Sequence, residues 1–226
     1  MKKLLFLIPF LALSITGCDL LMPQDSSTSH KPKSSSEEVI DSTIYGSGDR
    51  EDEVLSVGYD IPAGEYWVTA TGNNTWSGYS VYGPKGYNPS ADYENRLFSF
   101  GVFEGEHYLT RLKFGQFILL SYVTLQSSKV DQGLTTIKNG MFKVGEQIKP
   151  IEGMVRVKVC EKPEQRLITK PNFTVYTYDE DTGDFSYDAL DSKTVGIFEN
   201  DDTQYHMIEN PPVGSYIQLV GLEVAQ

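Results

Sequence analysis

Residues 54–68 read VLSVGYDIPAGEYWV, and residues 141–157 read MFKVGEQIKPIEGMVRV. Each segment begins with an apolar run, continues through Val-Gly, Ile, Pro and Gly, and ends in a second run rich in apolar residues. Pro fixes φ at the first corner of a turn and Gly can take a positive φ at its exit, so each segment predicts two strands joined by a tight turn. The same β-structure is therefore expected twice in the chain.

The match between the two halves extends beyond these turns. Residues 102–104 (VFE) resemble residues 197–199 (IFE), and residues 115–120 (GQFILL) resemble residues 214–219 (GSYIQL). Short runs of Val, Ile, Tyr and Phe alternate with turn residues throughout, which is typical of all-β proteins. We therefore predict two tandem antiparallel β-sandwich-like modules, residues 51–128 (module 1) and 138–226 (module 2), joined by a linker at 129–137.

Aligning Gly64 with Gly153 separates two faces of the following strand. On one face apolar residues match: Tyr66, Val68 and Ala70 with Val155, Val157 and Val159. On the other face Trp67 and Thr69 match Arg156 and Lys158, so this side is predicted to face solvent, as in a half-wet antiparallel sandwich. The alternative is that Trp67 is covered by the other module or by the loop at residues 72–95.

An outward-facing Trp67 would belong to an aromatic surface. The neighbouring large aromatic residues are Trp76, Tyr79, Tyr82, Tyr87 and Tyr93. Exposed aromatic side chains mark binding surfaces, where they stack on sugar rings or anchor protein partners. Trp67, Trp76, Tyr79, Tyr82 and Tyr87 are therefore the candidate ligand-binding residues, and loss of binding in Trp67→Ala without loss of the fold is the expectation.

The first residues have the features of an export signal. Lys2 and Lys3 precede a short apolar run at 4–15, which is too short for a stable membrane span. Residues 15–18 (ITGC) resemble the lipobox of bacterial lipoproteins. The resemblance implies a signal peptide at 1–17, a diacylglycerol on Cys18, and a chain held on the outer face of the cell membrane. Two acyl chains make a durable anchor.

Residues 18–50 follow as a Ser-rich stretch with few large apolar groups, so a flexible tether is expected. The segment around Gly58 also resembles a repeat of surface proteins of Gram-positive bacteria, with the pattern VGxDIPxGxY. Asp60, Ile61 and Tyr66 fit it, whereas the second copy departs through Gln147 and a shifted Pro150. This resemblance implies location and fold but no catalytic activity. Asp19 can signal inner-membrane retention in Gram-negative families, so the envelope type stays open.

Composition and motifs exclude several functions. The net charge of −12 argues against nucleic acid, whose phosphates require Lys and Arg. Cys160 is expected to be a buried residue at a strand end. His107 and His206 each lie eight residues before the matched glycines Gly115 and Gly214, so they are predicted to be equivalent in the two copies, but no metal-ligand spacing surrounds them. Residues 179–184 (DEDTGD) lack the residue order of an EF-hand loop. We predict no catalytic residue, metal or cofactor, so the chain is not expected to be an enzyme.

Two functions fit these features. The first is a non-catalytic binding module for a cell-wall glycan or an extracellular protein. The second is a structural or accessory lipoprotein that docks on a membrane protein complex through the face between the modules. A transporter substrate-binding protein fits poorly, since that fold alternates strands and helices.

Overall fold

The computed structural model describes residues 42–46, 49, 52–72, 77–88, 90, 94–160, 170–186, 195–197 and 205–225. They belong to one compact unit that begins at Val39. The proposed signal peptide, Cys18, most of the tether, Trp76 and Tyr93 lie outside the described residues. Fifteen strands and no helix make up the regular structure of the described part, which confirms the all-β prediction. No helix among these residues is long and apolar enough to cross a membrane.

Eight strands precede the linker. They are β1 (Ile44–Tyr45), β2 (Glu53–Ser56), β3 (Gly64–Ala70), β4 (Gly78–Tyr82), β5 (Arg96–Gly101), β6 (His107–Leu112), β7 (Phe117–Ser121) and β8 (Val123–Ser127). Seven strands follow it. They are β9 (Lys138–Lys143), β10 (Met154–Val159), β11 (Asn172–Tyr178), β12 (Phe185–Ser186), β13 (Val195–Ile197), β14 (Tyr205–Glu209) and β15 (Tyr216–Val224).

The two modules share one antiparallel pairing scheme. In module 1 one layer has the order β2-β7-β4-β5 and the other has the order β8-β3-β6, with β1 beside β8. In module 2 the corresponding layers are β9-β15-β11-β13 and β15-β10-β14. Aromatic residues lie between the layers of module 1, where the ring centroids of Phe100 on β5 and Tyr108 on β6 are 5.9 Å apart. The prediction of two tandem sandwich-like modules is confirmed.

A single kink lets the chain pass from one layer to the other. In module 1 Tyr122, with φ 53, separates β7 from β8. Gly221, with φ 66, takes the corresponding place in module 2 but lies inside one continuous strand, β15. Because β15 pairs in both layers, the two layers of module 2 are hydrogen-bonded into one network that also includes β1, β8, β3 and β6.

The repeated turns have the same hydrogen bonds in both modules. The backbone N–H of Gly58 donates to the Ile61 carbonyl over 2.6 Å, and that of Gly145 donates to the Ile148 carbonyl over 2.7 Å. Asp60 Oδ2 accepts the backbone N–H of Ser56, and Gln147 Oε1 accepts that of Lys143. The Gln147 side chain therefore accepts the same turn hydrogen bond as the Asp60 side chain, although Gln147 departs from the sequence pattern.

The modules meet through a short parallel pairing of β6 with β9. His107 lies opposite Gly140, and Tyr108 lies opposite Met141. Gly140 is buried with φ 142, and a Cβ atom there would lie 2.1 Å from the backbone oxygen of His107. The matching position of module 1 is Glu53, on a strand that pairs only with β7 among the described strands. Of these two matched positions, a side chain is excluded at the one where the second module approaches the first.

Polar side chains reinforce this junction. Lys143 Nζ lies 2.8 Å from Glu65 Oε1 and 2.7 Å from Glu146 Oε1, and the Tyr216 hydroxyl donates to Glu65 Oε1 over 2.6 Å. Burial lowers the pKa of Lys143, but the carboxylates of Glu146 and Glu65 outweigh burial, so the pKa is raised overall. Lys143 and Glu65 are mostly buried, and a buried ion pair is costly to break from one side.

One hydrophobic cluster runs through both modules. Tyr66 and Val68 are buried, as are Val155, Val157 and Val159, which confirms the predicted apolar face, although Ala70 is only half-buried. Cys160 is buried directly after β10 and donates its backbone N–H to the Gly221 carbonyl, which confirms its predicted place at a strand end.

We predict that Gly140→Ala lowers the free energy of unfolding by about 3 kcal/mol or more, because β9 must move away from β6. Gly105→Ala is the matched control. Gly105 also has a positive φ, 77, but no atom lies within 4 Å of the added Cβ, so a loss of about 1 kcal/mol is expected. Urea unfolding of the two variants measures the difference, and equal losses would contradict the close contact at Gly140.

Candidate binding site

Trp67 is buried, so the prediction of a solvent-facing Trp67 is wrong. Its side chain is 4% exposed, and its ring centroid lies 6.2 Å from that of Phe142 on β9. The linker lies over the same face, where Val130 and Leu134 are among the residues that line a cavity of about 270 Å³ next to Trp67. The expected alternative, cover by the other module, describes what the structure shows.

The other candidate aromatic residues also do not form an exposed surface. Tyr79 and Tyr82 are both buried on β4, which lies between β7 and β5. The Tyr79 ring packs 6.2 Å from Phe98, and Tyr87 is half-buried with its ring 5.0 Å from that of Tyr82. Trp76 lies outside the described residues. None of the described members of the set is exposed.

The matching face of module 2 is open. Trp67 lies opposite Leu109 in the β3–β6 pair, and Arg156 lies opposite Met207 in the β10–β14 pair. Leu109 is 0% exposed, whereas Met207 is 44% exposed and Arg156 is exposed as well. The same position in the sandwich therefore carries a covered Trp–Leu pair in module 1 and an exposed Arg–Met pair in module 2.

A groove of about 760 Å³ lies on this open face. Its lining includes Ile137 of the linker, Ile151 in the turn before β10, and Arg156, Met207 and Val224. Ile151 is 70% exposed. The volume falls in the range typical of ligand-binding clefts, and exposed apolar side chains around a concavity are characteristic of such sites.

Arg156 is held in a defined position within the groove. Its guanidinium carbon lies 3.6 Å from the centroid of the Tyr205 ring, a close cation–π contact. Among the described residues no carboxylate forms an ion pair with Arg156. Lys149 and Glu152 also line the groove. The site is thus mainly apolar with one oriented guanidinium, and sequence reasoning treated Arg156 only as a solvent-facing residue.

A second exposed aromatic feature lies on the turn of module 1. Tyr59 is 81% exposed and Phe114 is 68% exposed, with ring centroids 6.0 Å apart. Phe114 lies over Gly58, where a Cβ atom would come within 2.3 Å of the ring. Sequence reasoning missed this pair because Tyr59 occupies the variable position of the Val-Gly-x-Asp pattern. Neither residue lines the groove of module 2 or the cavity beside Trp67.

The histidines do not form a common site. His107 lies opposite Thr69, and His206 lies opposite Val157. In the matched register His206 takes the place of Tyr108 rather than that of His107, which corrects the predicted equivalence by one residue. Burial lowers the pKa of His107. No cluster of three metal-ligating side chains occurs among the residues with described structure.

The acidic segment 179–184 is a hairpin turn tied to module 1. Asp179 Oδ1 accepts the backbone N–H groups of Asp181 and Thr182, and these bonds lower the pKa of its carboxyl group. Arg111 pairs with Glu180 over 2.8 Å, and Lys113 Nζ donates to the carbonyls of Glu180 and Asp181. The turn therefore contributes to the contact between modules.

Cys160 has the surroundings of an unreactive thiol. Burial raises its pKa to about 11, and Glu223 acts in the same direction. The thiolate is the nucleophilic form, so Cys160 is almost wholly protonated at neutral pH.

Comparison with protein-family models, curated proteins and solved structures found no match for this chain. The groove is therefore interpreted from its own chemistry. Apolar lining and a single placed cation suit the binding of a ligand that offers both apolar groups and an anion.

The two faces should respond differently to truncation. Trp67→Ala is expected to lower the free energy of unfolding by about 3–5 kcal/mol, because it removes a buried indole. Arg156→Ala at the matched position should cost about 1 kcal/mol or less, since it removes one exposed cation–π contact. Chemical denaturation tests both variants, and a small loss in Trp67→Ala would contradict the closed face of module 1.

Proposed function

We propose that the chain is a lipid-anchored extracytoplasmic protein that binds an extracellular protein without catalysis, using the groove of module 2. The observation that carries the proposal is the contrast between matched faces. The Trp67 face of module 1 is covered by the linker and by β9 of module 2. The matching face of module 2 is open, with Met207, Ile151 and Arg156 around a groove.

The chemistry of the groove favours a protein over a cell-wall glycan. Glycan sites typically present flat aromatic surfaces, and the tyrosines and tryptophan first considered for that role are buried or half-buried where they are described. Arg, Met and Tyr, in contrast, are enriched in protein–protein interfaces, and Met adapts to varied apolar partners. Arg156, Met207 and Tyr205 combine these three residue types on one face.

The alternative function, docking on a membrane protein complex through the face between the modules, has less support. The side chains at that face are engaged within the chain, as Lys143 with Glu65 and Trp67 with Phe142 show. The groove is the better candidate for any partner.

The proposed anchor is the lipid on Cys18, with residues 18–43 as a tether, because Ile44 and Tyr45 already pair with β8. A flexible chain of this length has a root-mean-square reach of roughly 30 Å. The tether would hold the groove away from the lipid surface, where an extracellular partner can reach it.

Cys18→Ser is expected to abolish incorporation of labelled palmitate in a bacterial host that processes lipoproteins, because serine offers no thiol for the diacylglycerol. Cys160→Ser is the control and should keep full labelling, as its buried thiol is not the attachment site. Equal labelling of the wild-type chain and Cys18→Ser would exclude the lipid anchor.

Binding through the groove can be tested by photo-crosslinking on intact cells. The full chain carries p-benzoylphenylalanine in place of Met207, or in place of the exposed Val54 on β2 as the control. We expect a discrete adduct with an exported protein from position 207 and none from position 54. No adduct from position 207, or the same adducts from both positions, would contradict the proposed function.

A further inference from the structure

In module 1, the face that matches the groove of module 2 is covered by a segment of the chain itself. After β8 the backbone N–H of Ser128 donates to the Glu65 carbonyl over 2.9 Å, so the chain stays beside β3 as it leaves the sheet. Val130, Asp131 and Leu134 then lie around the cavity next to Trp67. The cover is thus a polypeptide segment that places the apolar Val130 and Leu134 and the carboxylate-bearing Asp131 around the cavity, and it also carries Lys129.

Module 2 repeats the frame that receives this segment. Val157 lies opposite Val224 as Val68 lies opposite Leu125. The N–H of Ala225 donates to the Arg156 carbonyl over 2.8 Å, at the position of the Trp67–Gln126 pair. Met154, Arg156, Val224 and Ala225 all line the groove. The groove therefore begins where the covering segment of module 1 begins.

We propose that the groove is a receptor for a segment of another protein that carries a carboxylate and apolar side chains, with the carboxylate on Arg156 and the apolar side chains on Met207 and Ile151. The proposal rests on the proposed function and names its ligand. In module 1 Asp131 lies at the cavity of Trp67. In module 2 a guanidinium replaces the indole, so a carboxylate at the corresponding place would meet an arginine.

The electrostatics of the groove fit an acidic ligand. Arg156 and Lys149 stand against Glu152 in its lining, while the whole chain has a net charge of −12. The Tyr205 ring already orients Arg156, which reduces the entropy lost on binding. Arginine–carboxylate contacts can be bidentate, which gives them direction as well as strength. The groove is thus a locally cationic, apolar site on an acidic protein.

The test uses the full chain and a synthetic peptide with the sequence of residues 127–136, SSKVDQGLTT. A second peptide carries Asn at the position of Asp131 and differs only in charge. Fluorescence anisotropy should show saturable binding of the peptide that contains Asp131 and about tenfold weaker binding of the Asn peptide. Arg156→Glu should weaken binding of the Asp131 peptide at least as much. Lys85→Glu, at an exposed lysine outside the groove lining, should leave binding unchanged.

Each other result overturns the inference. Absence of saturable binding, or binding that does not change with Arg156→Glu or with the Asn peptide, excludes a carboxylate-bearing segment of this kind as the ligand. Dimerisation of the chain that depends on Arg156 would make a second copy the occupant. If crosslinking from position 207 yields an exported partner while the peptides fail, the proposed function stands and only the ligand class falls. If both experiments fail, both fall.

Discussion

The close backbone contact between Gly140 and His107 is the constraint on which the arrangement of the two modules depends. Only a residue without a side chain lets β9 lie beside β6. Once β9 is there, Phe142 reaches the Trp67 ring and Lys143 reaches Glu65. The same approach brings the linker over the outer face of module 1. Closure of that face is therefore a consequence of the junction and not of the repeat alone.

Two modules with one pairing scheme end up with different surfaces, and their sequences differ accordingly. A covered Trp–Leu pair in module 1 becomes an exposed Arg–Met pair in module 2. Arg156 and Lys158 supply polar groups on this face of module 2, which favours its contact with water. Solubility does not account for Met207 and Ile151, which stay exposed around a groove. That excess of apolar surface is what the proposed binding function uses.

The sequence was sufficient for the elements whose causes are local. The two turns, the strands that flank them and the apolar face at Val155 and Val157 follow from short-range pattern. Trp67 could not be placed in this way, because Phe142 and the linker that bury it are distant in sequence. The match of His107 with His206 was wrong because the chain gains one residue between β14 and the following turn, which the pairing register shows and the glycine spacing conceals. The groove could not be predicted from the sequence, because its lining residues come from separate segments that only the fold brings together. The one sequence feature that pointed to it was Arg156 at the position that matches Trp67.

Acrylamide quenching of matched tryptophans tests most directly whether one face is closed and the other open. Trp76→Phe leaves Trp67 as the only tryptophan, since the chain has two. Adding Trp67→Phe and Arg156→Trp moves the single tryptophan to the matched position of module 2. We expect blue-shifted emission and weak quenching for Trp67, and red-shifted emission with strong quenching for the indole at position 156. Equal quenching at the two positions would contradict a closed face in module 1 and an open face in module 2.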